Sequence, residues 1–294
     1  MMTFGKNLAG ALVIVVTVTC VSACGTAKVA SSPQNTTAPL DKKISGSVPD
    51  RYRDQPLIIA TDASLAPMEL VAGKKKSIVG ADIDIVNALA STMGLKVIIQ
   101  NVDFNKIVSG VNSGAYDLGV SSITDTPARE TKVDFVTYFQ AGISYYVRKG
   151  AAKVAQPADL CGQRVAVQEG TILETLAVKQ KPLCDKAEPL SIVRFPQQTQ
   201  ATQAVINKKA DVTLSDTPIA SWAVRNSKGK LVLSGDPFSV SPYGIAVAKG
   251  SGLTEPLQKA VNKIIANGVY DNILLKWGLQ PGAVEKSLVN AAGN

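Results

Sequence analysis

Apolar positions along this chain follow two alternating patterns: short unbroken runs, and runs spaced by three or four. Unbroken runs bounded by polar turns mark buried strands, and apolar residues at i, i+3, i+4 mark helices packed on one face. Residues 57–60 form the first unbroken run. A turn over 63–69 and a polar hairpin-like stretch at 73–77 lead to a helix from about Gly80 to Met93. Ile83, Val86, Leu89, Ala90 and Met93 share one side of that helix, and Gly94 stops it. Residues 97–99 predict a second strand, 104–112 a helix with Ile107 and Val111 inward, and 117–120 a third strand. Strand-helix-strand-helix-strand order predicts a parallel sheet with right-handed crossovers.

An extended run at 143–148 then leads into a second unit of the same kind. Its strands are predicted at 164–167, 190–195, 211–214 and 230–233, and its helices at 172–180, 199–207 and 217–225. Thr171 and Glu174 have the spacing of a capping box for the first of these helices. A second extended run at 243–248 returns the chain to the first unit, which helices at 254–267 and 269–276 complete. The expected fold is therefore α/β with two lobes, each a mostly parallel sheet flanked by helices. The expected lobes are 56–145 plus 243–280 and 146–242, joined by two hinge crossings, with 281–294 as a polar tail.

In such sheets ligands bind beyond the carboxyl ends of the strands. The turns there hold Asp62, Phe104, residues 121–129 and, in the second unit, Gly170–Thr171 and Asp216. The stretch DLGVSSITDTPARETKVDF over 117–135 places hydroxyls and free N–H groups just past a strand. Thr126-Pro127 is a helix start, and Arg129 falls in its first turn, where a cation sits unfavourably against the helix dipole. A bidentate carboxylate partner would account for that placement. Each position also has a plainer reading: Arg129 as a solvated surface residue, Thr171 as a cap, Asp216 as the N-cap before Pro218.

The amino terminus carries one charge, Lys6, before an apolar run over 8–18, which is right for a signal segment and short for a membrane span. Residues 1–23 are read as a signal peptide ending at Val21-Ser22-Ala23-Cys24. That ending resembles the lipobox of bacterial lipoproteins, which makes Cys24 the expected lipid attachment site on the outer face of the cell membrane. Residues 24–55, rich in Ser, Thr, Pro, Lys and Ala, are expected to be a flexible tether. In an exported chain Cys161 and Cys184 are expected to pair as a disulfide.

Composition narrows the chemistry. Thirty-one Lys+Arg against 23 Asp+Glu give a net charge of +8, scattered along the chain, and aromatic residues make up 5%. No basic stripe with stacking rings is present, so nucleic acid is not an expected partner. The chain has no histidine, which removes Ser-His and Cys-His nucleophile pairs and most catalytic zinc sites. No metal or cofactor is expected.

The segments ATDASLAPMEL, VGADIDIVNALA, DFNKIVSGVNSGAYDLGVSSITDTPARETKVDF, RVAVQEGTILETL, ADVTLSDTPIA and SPYGIAVAKG, in that order, resemble the extracellular solute-binding proteins of family 3. These are amino-acid receptors of ABC importers, and the resemblance runs from about Leu57 to Gly278. It implies that Arg129 holds a ligand carboxylate with Thr124, and that the Ser122 carbonyl and Asp216 take the α-amino group. It implies that Thr171 and Ile172 present helix N–H groups from the other lobe, with Ile123 and Gly170 beside them. Asp62, Leu65, Met68 and Phe104 would read the ligand side chain. Leu65 and Met68 stand where relatives often carry an aromatic ring, and Asp62 favours a polar or basic amino acid over an acidic one. The implied partners are a free amino acid and importer permease subunits, bound by a monomer that is not an enzyme. A periplasmic dehydratase of cyclic carboxylates on the same fold, and a ligand-sensing partner of a signalling receptor, are the alternatives.

Overall fold

The computed structural model describes residues 36–293, so the expected signal peptide and Cys24 lie outside the described residues. Order begins earlier than composition suggests. Asp41 accepts the N–H groups of Lys43 and Ile44 and caps helix α1 (Lys42–Ser47). Ala38, Ile44 and Val48 are buried in the core of the first lobe, and Lys263 pairs with Asp41 at 3.1 Å. The segment expected as a tether over 24–55 is thus folded from residue 38 onward. Three apolar side chains within it find a partner surface, and their burial outweighs the ordering of a short helix.

Strand β1 (Leu57–Thr61) follows, then a three-stranded antiparallel sheet of β2 (Ser64–Leu65), β3 (Glu69–Ala72) and β4 (Ser77–Val79). Helix α2 (Ala81–Met93), β5 (Val97–Asn101), α3 (Phe104–Ser113) and β6 (Leu118–Gly119) build the rest of the expected parallel unit. β1 lies between β5 and β6 and runs parallel to both, with Ile59 opposite Ile99 and Leu118. Helix α4 (Pro127–Glu130) is a single turn, with Pro127 in its first turn and Thr126 as its cap.

The two expected crossings are long strands. β7 (Val133–Arg148) and β11 (Leu231–Ala248) pair antiparallel along nearly their whole length, so both lobes share one eight-stranded sheet of order β5-β1-β6-β11-β7-β10-β8-β9. The separate runs expected at 230–233 and 243–248 are therefore two ends of one strand. Gly235, Pro237 and Pro242 between them read as a loop, but β7 keeps the backbone extended through register shifts between Ser234 and Phe238, Phe238 and Ser241, and Tyr243 and Gly244.

The second lobe contains β8 (Arg164–Gln168), α5 (Ile172–Gln180), β9 (Ser191–Phe195), α6 (Gln198–Ile206), β10 (Val212–Asp216) and α7 (Thr217–Asn226). Its central strand β8 is apolar on both faces because helices cover both. Tyr145, Val165 and Val167 pack with Leu173 on one side, and Tyr146 and Ala166 pack with Ala201, Ala204 and Ala220 on the other. Cys161 and Cys184 form the expected disulfide, with Cα atoms 5.3 Å apart, and Cys184 lies against the first of these clusters.

Helices α8 (Thr254–Ala266) and α9 (Val269–Trp277) close the first lobe against α2. Residues beyond 280 are not a free tail. Val289 bridges Val136, and Thr137 donates its N–H to the Leu288 carbonyl at 2.9 Å. β10 pairs only with residues 143–147 of β7, so the first part of β7 has unpaired backbone groups, and this segment satisfies some of them. Both lobes belong to one compact unit, and among the described residues no helix is long and apolar enough to cross a membrane.

Candidate functional site

The carboxyl ends of β1, β6, β8 and β10 converge on a cleft between the lobes. Its lining from the first lobe includes Leu65, Phe104, Ser122, Thr124 and Arg129, and from the second Gln168, Thr171, Ile172, Asp216 and Ile219. Arg129 is fixed from three sides. Its guanidinium donates to the Thr124 carbonyl at 2.7 Å and to the Gly170 carbonyl of the other lobe at 3.1 Å. It also lies over the Phe104 ring, 5.6 Å from the centroid. Loss of water around it pulls its pKa down to about 10, against the opposing pull of Asp216 and Asp125.

On the facing lobe, Asp216 is the N-cap residue of α7 but accepts no capping bond, so its carboxylate is left to the cleft. Burial raises its pKa to about 6, partly offset by the Tyr243 hydroxyl and Arg129. Thr171 does cap α5, accepting the Glu174 N–H at 3.2 Å. The Glu174 carboxylate reaches back to the Gly170 N–H at 2.8 Å, one residue earlier than a capping box would place it. The first N–H groups of α5, unpartnered within the helix, mark that end as favourable to an anion.

Gly170 is needed twice over. Its φ is +77°, in the left-handed region, and a Cβ there would stand 2.7 Å from the Asn105 Cβ of the other lobe. Two more hydrogen bonds cross the cleft. Gln198 donates its N–H to the Ser64 hydroxyl at 3.2 Å, and the Gln168 amide donates to the Asp62 carboxylate. The lobes are closed on each other.

Asp62 is buried, and desolvation raises its pKa to about 6 despite hydrogen bonds involving Ser64 and Gln168. The Oε1 atoms of Gln168 and Gln198, both buried, have no donor among the described residues. This end of the cleft therefore presents acceptors that lack donors.

Most of the expected residues meet at one place, but four are absent from the cleft wall, and of these Gly170 meets the site through its carbonyl on Arg129. Met68, just before β3, is fully buried in the first lobe's core. Ile123 is likewise buried and accepts the Gly244 N–H through its carbonyl, which ties the Arg129 loop to β11. Asp62 stands behind Gln168, which touches it. Gln168, Gln198, Leu173, Ser215 and Ile219 line the cleft without having been singled out. Gln168 and Ser215 occupy strand ends, so the rule that drew attention to Asp62 and Asp216 would have found them.

Beneath the site lies a buried acid pair. Ser122, at φ +50°, donates its N–H to Asp82 at 2.8 Å, and Ser121 donates its hydroxyl to Glu69 at 2.7 Å while accepting the Asp62 N–H at 2.9 Å. Burial first, then each other's charge, hold the Glu69 carboxyl well above the ordinary range.

Residues 57–280 match the family model described as bacterial extracellular solute-binding proteins, family 3. The arginine-binding protein ArgT of Corynebacterium glutamicum is 32% identical over 216 residues, spanning 72% of this chain and 71% of that protein. An ancestral arginine-binding protein solved with arginine superposes with a TM-score of 0.71 at 32% identity, over 76% of this chain and 97% of that one. An ancestral amino-acid-binding protein described as a precursor of cyclohexadienyl dehydratase superposes at 0.68 with 30% identity, over 76% of this chain and 95% of the other. The fold is that of type II periplasmic binding proteins.

Proposed function

Since the chain belongs to the bacterial extracellular solute-binding proteins of family 3, we propose that it is an extracytoplasmic receptor that captures a polar or basic amino acid and delivers it to an ABC importer. One observation carries the reading: a desolvated cation, Arg129, and a carboxylate free of capping duty, Asp216, face one cleft from opposite lobes. A zwitterion satisfies both. Its carboxylate takes the Arg129 guanidinium and the α5 N–H groups, and its ammonium takes Asp216 and the Ser122 carbonyl.

Side-chain choice falls to the far end. The donor-less Oε1 atoms of Gln168 and Gln198, with the Asp62 carboxylate behind Gln168, suit a guanidinium, an ammonium or an amide, and leave a ligand carboxylate repelled. Relatives described as arginine-binding support the same choice. Docking begins on the lobe carrying Arg129, and differential affinity for the closed form draws the second lobe in. Cys24 anchors the receptor through lipid, and the chain works as a monomer without a catalytic step.

Calorimetry with L-arginine, L-lysine, L-histidine, L-glutamine, L-glutamate and prephenate tests this. Stoichiometric binding of a basic or amide amino acid is expected, and Arg129→Ala weakens it by about 3–5 kcal/mol because the ligand carboxylate then lies buried and unpaired. Binding of none of the amino acids, or conversion of prephenate, would overturn the reading.

A further inference from the structure

The segment over 281–293 lies beyond the region matched to the family, yet it ends against the loop that carries Arg129. It first zips onto β7: Phe135 donates its N–H to the Asn290 side-chain carbonyl at 2.8 Å, and Asn290 returns its N–H to the Phe135 carbonyl at 3.0 Å. Asn290 has φ +53°, a conformation asparagine tolerates better than most residues, and the chain turns there. Ala291 then donates its N–H to the Asp125 carboxylate at 2.7 Å, and Ala292 donates to the Glu130 carboxylate at 3.0 Å.

Asp125 and Glu130 bracket Arg129 in sequence, and Asp125 is buried. Asp125 also donates its own N–H to the Pro242 carbonyl on β11, at 2.9 Å. The adjacent Thr124 carbonyl is one of the two that receive the guanidinium. The two acids thus form a bridge with the terminal segment on one side and the cation on the other.

We propose that residues 288–292 act as a positioning element for Arg129, holding its loop at both ends through Asp125 and Glu130. The proposal rests on Arg129 being the carboxylate clamp, and its test separates the two. Hydrogen exchange of residues 124–131 is measured in the ligand-free full chain, alongside calorimetry with L-arginine. Asp125→Ala with Glu130→Ala removes both acceptors, whereas Asp125→Asn with Glu130→Gln removes both charges and keeps the acceptors.

The alanine pair is expected to exchange faster over 124–131 and to bind L-arginine about tenfold more weakly, the worth of one hydrogen bond. The amide pair stays near wild type in both readouts. Wild-type behaviour of the alanine pair, or an equal loss in the amide pair, overturns the proposal. Should the wild-type chain not bind L-arginine, the exchange measurement alone decides the proposal, and the clamp reading fails only if no amino acid of the panel binds.

Discussion

Arg129 is held by groups of the chain itself. Two carbonyls and a ring fix its guanidinium, and two carbonyls are weaker partners for it than one carboxylate. The residues below it are organised around protons. Asp62 and Asp216 are raised to about 6 and Asp125 to about 7, all chiefly by burial, and the Glu69–Asp82 pair holds a proton above the ordinary range. An acid raised in the folded state keeps its proton longer than the unfolded chain does. Its contribution to stability is full below the unfolded value near 4 and is lost as pH rises through the folded value. No histidine titrates in that interval. The melting temperature of the ligand-free protein should therefore fall from pH 5 to pH 8, and Glu69→Gln should make the slope shallower. A melting temperature that rises over this range contradicts the assignment.

At the scale of elements, closure depends on one turn. The β8–α5 turn brings Gly170 against Asn105, so Gly170→Ala combines left-handed strain with a contact no real Cβ makes. We expect the variant to fold, to bind ligand at least about tenfold more weakly, and to scatter X-rays as a more open particle. Wild-type affinity would show that the lobes close without that approach. Elements with a single strong pattern could be read directly from the chain. Strand β8 of the second lobe is apolar on both faces and bounded by polar turns, and Pro127 announces α4. Elements that depend on a distant partner could not. α1 has its cap at Asp41 and apolar residues at Ile44 and Val48, but Ser, Thr and Pro around them mask the spacing. The middle of β11 has the residues of a loop and is a strand because β7 lies beside it. The site divides in the same way. Arg129, Thr171 and Asp216 stand at helix starts, where the reason for looking is local. Met68 went to the core and Gln198 to the cleft for reasons of packing between segments far apart in the chain.

For the whole molecule, the disulfide ties the approach to β8 to the turn after α5, wholly within the second lobe. Reduction should lower stability by about 3 kcal/mol, the loop entropy regained by the unfolded chain. Calorimetric unfolding with and without reductant measures this, and because the bridge lies away from the cleft, ligand affinity measured below the transition should be unchanged. The lobes themselves are joined by a paired ribbon, β7 with β11, and not by two separate linkers. A ribbon whose strands are hydrogen-bonded resists stretching and shear far more than bending and twisting. It therefore behaves as a torsion spring with one soft direction, wound or relaxed by each opening. No residue of the ribbon lines the cleft. Substitutions at its exposed midpoint, at Ser239 or Val240, would change how fast the receptor loads and unloads while leaving its choice among amino acids as it was.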